Sequence, residues 1–146
     1  MNRGGMRAVL DNIIGGKMRF AGYAALVAVL LSSLPAAAQD AAAGEKVFVV
    51  CRACHQIGPT AKNGVGPVLN GVVGRKAGTY PGFNYSPANK NSDITWDEAT
   101  LEKYLPNPQA FVPGTKMIFP GLKEPQKVHD VIAFLAQYKA DGTKGP

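Results

Sequence analysis

The chain has 146 residues, with 17 Gly, 11 Pro and a formal net charge of +6. That length supports one small domain and not two. The lysines are scattered and no aromatics interleave with basic runs, which argues against the clustered stripe of a nucleic-acid binder; what remains is ordinary solvated charge or a modest positive face that steers an acidic partner.

The first segment reads as an export signal. Arg3, Arg7, Lys17 and Arg19 precede an uncharged apolar run from Phe20 to Leu34, and Pro35-Ala36-Ala37-Ala38 ends in small residues. A positive region, an apolar region and a small-residue site are the three parts of a secretory leader. The run is shorter than the ~20 apolar residues of a membrane span, although an uncleaved N-terminal anchor is the alternative. Translation could start at Met1, Met6 or Met18. The expected division is a leader over 1–38 and a domain over 39–146. Cleavage after Ala38 takes Arg3, Arg7, Lys17, Arg19 and Asp11 away, leaving 108 residues with 12 basic and 9 acidic side chains, a net +3.

Asp40 is placed to cap a helix running through Ala41-Ala42-Ala43 towards Cys51, since a side-chain carboxylate satisfies free N–H groups of the first turn. Residues 57–91 are dense in Gly and Pro and read as loop. They also carry Val65, Val68, Leu69, Val72, Val73, Phe83 and Tyr85, so packed Ω-type loops around a ligand suit them better than disorder. Thr95-Trp96-Asp97-Glu98 has the form of a capping box, predicting a helix from about Trp96 to Leu105 that stops at Pro106 and Pro108. Val112–Gly121 is again loop. Pro125 suits the first turn of a last helix, whose Val128, Val131, Ile132 and Leu135 follow the i, i+3, i+4, i+7 pattern. Three helices, no strand and no repeat are expected.

Both cysteines lie in Cys51-Arg52-Ala53-Cys54-His55. A disulfide is possible in an oxidising compartment, and Cys-x-x-Cys can be a thioredoxin-like redox centre. No alternating strand precedes Cys51, however, and Gly44, Val47, Phe48 and Cys51 fall at helical spacing. With the following histidine, the motif is a haem attachment signal. Two thiols one helical turn apart can add to the two vinyl groups of one haem edge, and His55 can then reach the iron from below. After removal of the leader, Met117 is the only methionine and His129 the only other histidine. Met117 sits in a proline-stiffened loop and is the expected second axial ligand. His129 sits inside the last helix, where a core-edge or solvent-facing role is ordinary.

The chain resembles the class I cytochromes c, in particular the short mitochondrial-like type of bacterial periplasms. The resemblance rests on Cys51–His55, Gly66-Pro67, Gly74-Arg75, Pro81–Tyr85, Ala88–Asn91, Ile94-Thr95-Trp96, Tyr104–Pro108 and Pro113–Met117, in order across nearly all of 40–140. It implies an all-α cytochrome c fold, three main helices plus Ω-type loops wrapped around one covalent haem, with no significant sheet. It also implies residue roles. Pro67 offers its carbonyl to the His55 ring. Arg75, Tyr85 and Trp96 bond a haem propionate. Ser86, Asn89 and Thr115 line the other side, and Tyr104 lies near the Met117 sulfur. Gly44 and Phe48 pack against Val131 and Phe134 where the first and last helices cross.

With both axial positions filled, the expected chemistry is one-electron transfer at the exposed haem edge, by a monomeric periplasmic carrier and not an enzyme. Lys62, Lys116 and Lys123 are candidates for the face that meets acidic redox partners. The expected donors are a quinol-oxidising complex or a dehydrogenase, and the acceptors an oxidase or a photosynthetic reaction centre. The rival classes are a haem enzyme or ligand sensor with a displaceable Met117, and a haem domain serving a larger complex.

Overall fold

The computed structural model describes residues 38–145. Of the leader expected over 1–38, all but Ala38 lies outside the described residues. Five helices follow in order: α1 (Ala41–Phe48), α2 (Pro87–Lys90), α3 (Glu98–Tyr104), α4 (Pro108–Phe111) and α5 (Pro125–Ala136). Among the described residues there is no β-strand. Two isolated antiparallel bridges, Lys76 with Thr95 and Tyr138 with Lys144, are the only strand-like pairings there.

α1 starts where its cap predicts. The Asp40 carboxylate accepts from Ala42 N–H at 2.8 Å and Ala43 N–H at 3.1 Å, satisfying two of the donors a helix start leaves free. Asp40 is itself anchored: its backbone N–H donates to the buried Asp130 carboxylate of α5 at 2.9 Å. The two helices cross at Gly44, which is buried because any larger residue would collide with the Asp130 backbone. Phe48 and Phe134 meet at that crossing with ring centroids 5.1 Å apart, each only 1 % exposed. Val128, Val131, Ile132 and Leu135 complete the apolar stripe of α5, and Leu101, Tyr104 and Leu105 extend the core across α3.

The start of α3 differs from the capping-box expectation. The cap is Asp97, whose carboxylate accepts from Thr100 N–H at 2.7 Å. Thr95 is committed elsewhere. Residues 94–96 pair with 74–77 through Gly74 N–H to Trp96 O, Trp96 N–H to Arg75 O and Ala77 N–H to Ile94 O. An extended backbone cannot also open a helix, so this pairing pushes the start to Glu98. α2 and α4 were not foreseen as helices. Each is a single turn opened by a side-chain cap and a proline at its first position: Ser86-Pro87 and Asn107-Pro108. Four residues are too few to show a helical period. Elsewhere the long stretches between α1, α2 and α5 are loops, as their Gly and Pro content predicts.

Candidate haem site

Cys51–His55 lies in a tight turn running straight on from α1. Cys51 N–H bonds Phe48 O at 2.9 Å, Cys54 N–H bonds Cys51 O at 3.1 Å and His55 N–H bonds Cys51 O at 2.9 Å. The turn keeps both thiols and the imidazole within one short arc. Cys51 is half-buried and Cys54 exposed, and neither is in a disulfide. Burial, reinforced by nearby Cys54, pushes the Cys51 thiol up to about 11.

The His55 ring is fixed from the loop side. Its Nδ1 lies 2.7 Å from the Pro67 carbonyl oxygen, which can only accept, so Nδ1 carries the proton and the Nε2 lone pair is the one left for a metal. Burial holds the imidazole below its ordinary pKa, against the opposing effect of the Pro67 bond, and this favours the neutral ligating form. Gly66 is the cradle for the ring. A Cβ there would stand 2.6 Å from His55 Nδ1 and 2.8 Å from Nε2, so a side chain at 66 would displace the imidazole.

Met117 occupies the 112–121 loop, packed against the core. Its sulfur accepts from the Tyr104 hydroxyl at 3.1 Å, and burial keeps that hydroxyl protonated by raising its pKa. The Tyr104 ring packs against Trp96 at 4.5 Å between centroids, tilted by 48°. The Met117 backbone N–H donates to Thr115 Oγ1 at 3.2 Å, and Asn89 Nδ2 donates to the same oxygen at 3.0 Å. Buried Ser86 caps α2 by accepting from Asn89 N–H at 3.2 Å. Ser86, Asn89, Thr115, Met117 and Tyr104 are thus brought together as one connected group. His129 is not part of it: its Nε2 sits 3.7 Å from Glu102 on α3.

Arg75 is occupied by protein. Its guanidinium donates to Asn70 O at 2.9 Å and Val68 O at 3.1 Å and lies 4.9 Å from the Tyr80 ring centroid. Tyr85 packs edge-on against Phe83 at 4.8 Å. Of the candidate docking lysines, Lys116 Nζ donates to Asn84 O at 3.1 Å and Lys123 Nζ to Pro106 O at 2.7 Å. Lys62 is exposed.

Two asparagines that the sequence reading passed over, Asn63 and Asn70, belong to the site's frame. Asn63 accepts from Val68 N–H at 3.0 Å and donates to Pro81 O at 3.0 Å, stapling two loops together. The available signal was an Asn within a Gly/Pro loop, where its side chain commonly replaces a backbone partner.

A thiol pair, an oriented neutral imidazole and a thioether are donors that suit haem iron, and the Gly66 cradle fits the ring nitrogen that must face it. Among the described residues no cluster of three or more His, Cys, Asp or Glu offers a rival metal site. The family model for cytochrome c matches residues 41–139. The chain belongs to the cytochrome c family. It is 66 % identical over 109 residues to the cytochrome c2 of Rhodomicrobium vannielii, covering 75 % of this chain and 87 % of that one. With the cytochrome c2 of Rhodoblastus acidophilus it shares 61 % identity over 107 residues, 73 % of this chain and the whole of that one. Among solved structures, cytochrome cH from Methylobacterium extorquens matches at 55 % identity and a TM-score of 0.63, over 66 % of this chain and 97 % of that one. Cytochrome c2 from Rhodospirillum centenum matches at 43 % identity and a TM-score of 0.66, over 68 % and 98 %. As a cytochrome c, the chain carries covalent haem c and transfers electrons; it is not an enzyme. Its Cys51 and Cys54 have the spacing of the haem-attachment motif.

Proposed function

We propose that Cys51 and Cys54 hold the haem by thioether bonds, that His55 and Met117 are its axial ligands, and that the mature chain is a monomeric one-electron carrier of the bacterial periplasm. The observation that carries this reading is the 2.7 Å contact between His55 Nδ1 and Pro67 O, which leaves Nε2 as the coordinating nitrogen. The haem, when bound, supplies one-electron cycling between ferric and ferrous iron.

The protein's contribution is to choose and hold the ligands. Pro67 orients the imidazole and raises its basicity. Tyr104 directs a hydroxyl at the Met117 sulfur, fixing the thioether, and Thr115 fixes the Met117 backbone. Thioether ligation and a dry surrounding both disfavour the extra charge of the ferric state and raise the potential. Ser86, Asn89 and Thr115 would line one side of the group, and Tyr85, Trp96 and Arg75, the last while holding Asn70 O and Val68 O, would attend its propionates. With His55 and Met117 both holding the iron, no position would remain for a substrate, and the bound haem would serve electron transfer with little movement of the protein.

Exposed apolar side chains adjoin the ligand segments: Val65 beside Gly66 is 80 % exposed and Ile118 beside Met117 is 90 % exposed. These, with Lys62, Lys116 and Lys123, are the candidates for contact with a redox partner carrying acidic groups, in the small-interface class of electron-transfer encounters. The donor is a quinol-oxidising complex or a dehydrogenase, and the acceptor an oxidase or a photosynthetic reaction centre. Among the described residues no helix is long and apolar enough to cross a membrane.

The test is the optical spectrum of the oxidised protein with and without cyanide or imidazole. A weak far-red sulfur-to-iron band that persists is expected. In Met117→Ala the band disappears and the potential falls. Survival of both in the variant refutes Met117 as ligand, and rapid cyanide binding at neutral pH in the wild type refutes the carrier reading.

A further inference from the structure

We propose that Asn70 is a positioning residue for His55, acting through the Pro67–Asn70 strap and sealed by the C-terminal hairpin. The inference rests on the His55 ligation proposed above.

Residues 55–58 and 67–70 lie side by side and are tied at three points. His55 Nδ1 bonds Pro67 O at 2.7 Å, and Leu69 N–H bonds Gln56 O at 3.0 Å. The third tie is the Asn70 side chain. Its Oδ1 accepts from Gly58 N–H at 2.8 Å and its Nδ2 donates to Gly58 O at 2.9 Å. One amide thus does what a backbone pair does at the end of a ladder. It does so at Gly58, whose φ of +118° is open to glycine alone. The outer side of the strap is held by Arg75, which forks onto Val68 O and Asn70 O.

Asn70 is 6 % exposed, and the reason is the chain end. Gly71 N–H bonds Tyr138 O at 3.1 Å, and Gly142 sits against the clamp so closely that a Cβ there would lie 2.5 Å from Asn70 Nδ2. Residues 137–145 fold back on themselves through Lys139 N–H to Thr143 O at 2.9 Å and Gly145 N–H to Gln137 O at 2.7 Å. The hairpin keeps water off the amide. Gly58 O keeps its bond from Ala61 N–H at 3.1 Å, but the buried Gly58 N–H is left without its acceptor if Asn70 is lost.

The consequence reaches the iron through Pro67. The carbonyl that accepts from His55 is set by the strap, and the strap is pinned at its far end by Asn70. Loosening that end lengthens the Nδ1–H to Pro67 bond. The imidazole then donates less electron density, and the ferric state loses stabilisation.

The test uses the haem-loaded protein. In Asn70→Ala the reduction potential rises and the His55 Nδ1–H proton resonance moves, while the far-red band stays. An unchanged potential and resonance with only a lower melting temperature overturns the proposal. So does a fall in potential, which would mean that water entry dominates. Asn70→Asp separates positioning from bulk structure. Its carboxyl matches the amide's donor and acceptor when protonated and loses the donor when ionised, with the Arg75 guanidinium nearby favouring ionisation. The His55 Nδ1–H resonance matches wild type at acid pH and departs from it as pH rises; a pH-independent difference overturns the clamp. In the wild type itself the Gly58 amide exchanges slowly with solvent, and fast exchange there overturns it without any variant. Absence of the far-red band in the wild type would instead overturn the His55/Met117 ligation, leaving the Gly58 exchange and the Asn70 variants to judge the clamp.

Discussion

In Gly44→Ala the added methyl has no free space. Its carbon would stand 2.5 Å from the Asp130 carbonyl carbon and 2.9 Å from Phe134 Cβ, where ordinary contact begins at 3.4 Å. The nearer obstacle is helix backbone, so α1 and α5 must part by about 1 Å. A gap of that size forfeits a quarter to a half of each dispersion contact across it. Full loss of one buried phenylalanine costs about 3–5 kcal/mol. Partial loss at both Phe48 and Phe134 therefore comes to about 2–4 kcal/mol. Alanine returns about 1 kcal/mol of helix propensity. The net is about 2 kcal/mol, or about 8–16 °C in melting temperature for a domain of this size. The assay is thermal unfolding of the haem-loaded protein by circular dichroism, with the far-red band as control for the iron site. An unchanged or raised melting temperature would refute the close-crossing account.

Tyr104→Phe removes the hydroxyl that meets the Met117 sulfur. A hydroxyl donating to that sulfur draws electron density from it and would disfavour ferric charge, so its loss lowers the potential; a rise measured by redox titration would contradict this. In the haem-free chain, burial of Cys51 holds its thiol near 11, leaving about one part in a thousand as thiolate at pH 8. Iodoacetamide at that pH should label exposed Cys54 first, and Cys51 catches up only as pH rises towards 11. Peptide mapping that finds Cys51 labelled first would rule out its burial.

Features carried by local chemistry were legible in the sequence. The attachment motif, the Asp40 cap, the stripe of α5 and the loop character of 57–86 each depend on residues close together in the chain, whereas α2 interrupts the end of the stretch read as loop. The Phe48–Phe134 contact and the Tyr104–Met117 pairing came through the family resemblance. The start of α3 was misread because Thr95 and Asp97 are both good caps, and only the pairing of 94–96 with 74–77 decides between them. That pairing joins segments about twenty residues apart and leaves no periodic mark. Asn63 and Asn70 were invisible for the same reason: their amides replace backbone partners across loops. Lys116 and Lys123 illustrate the limit from the other side. Their charge was legible, but not the carbonyls of Asn84 and Pro106 that each one holds.

The link from Asp40 to Asp130 spans 90 residues, and it bears on the order in which the chain takes shape. Closing a loop of that length costs about 4 kcal/mol in chain entropy before any contact across it offsets the loss. Contacts this far apart in sequence also slow folding. The Cys51–His55 motif precedes Pro125 by 70 residues. A chain delivered amino end first therefore presents its attachment site long before the partner of α1 arrives. A product truncated ahead of α5 keeps the attachment motif but lacks the helix that closes the crossing.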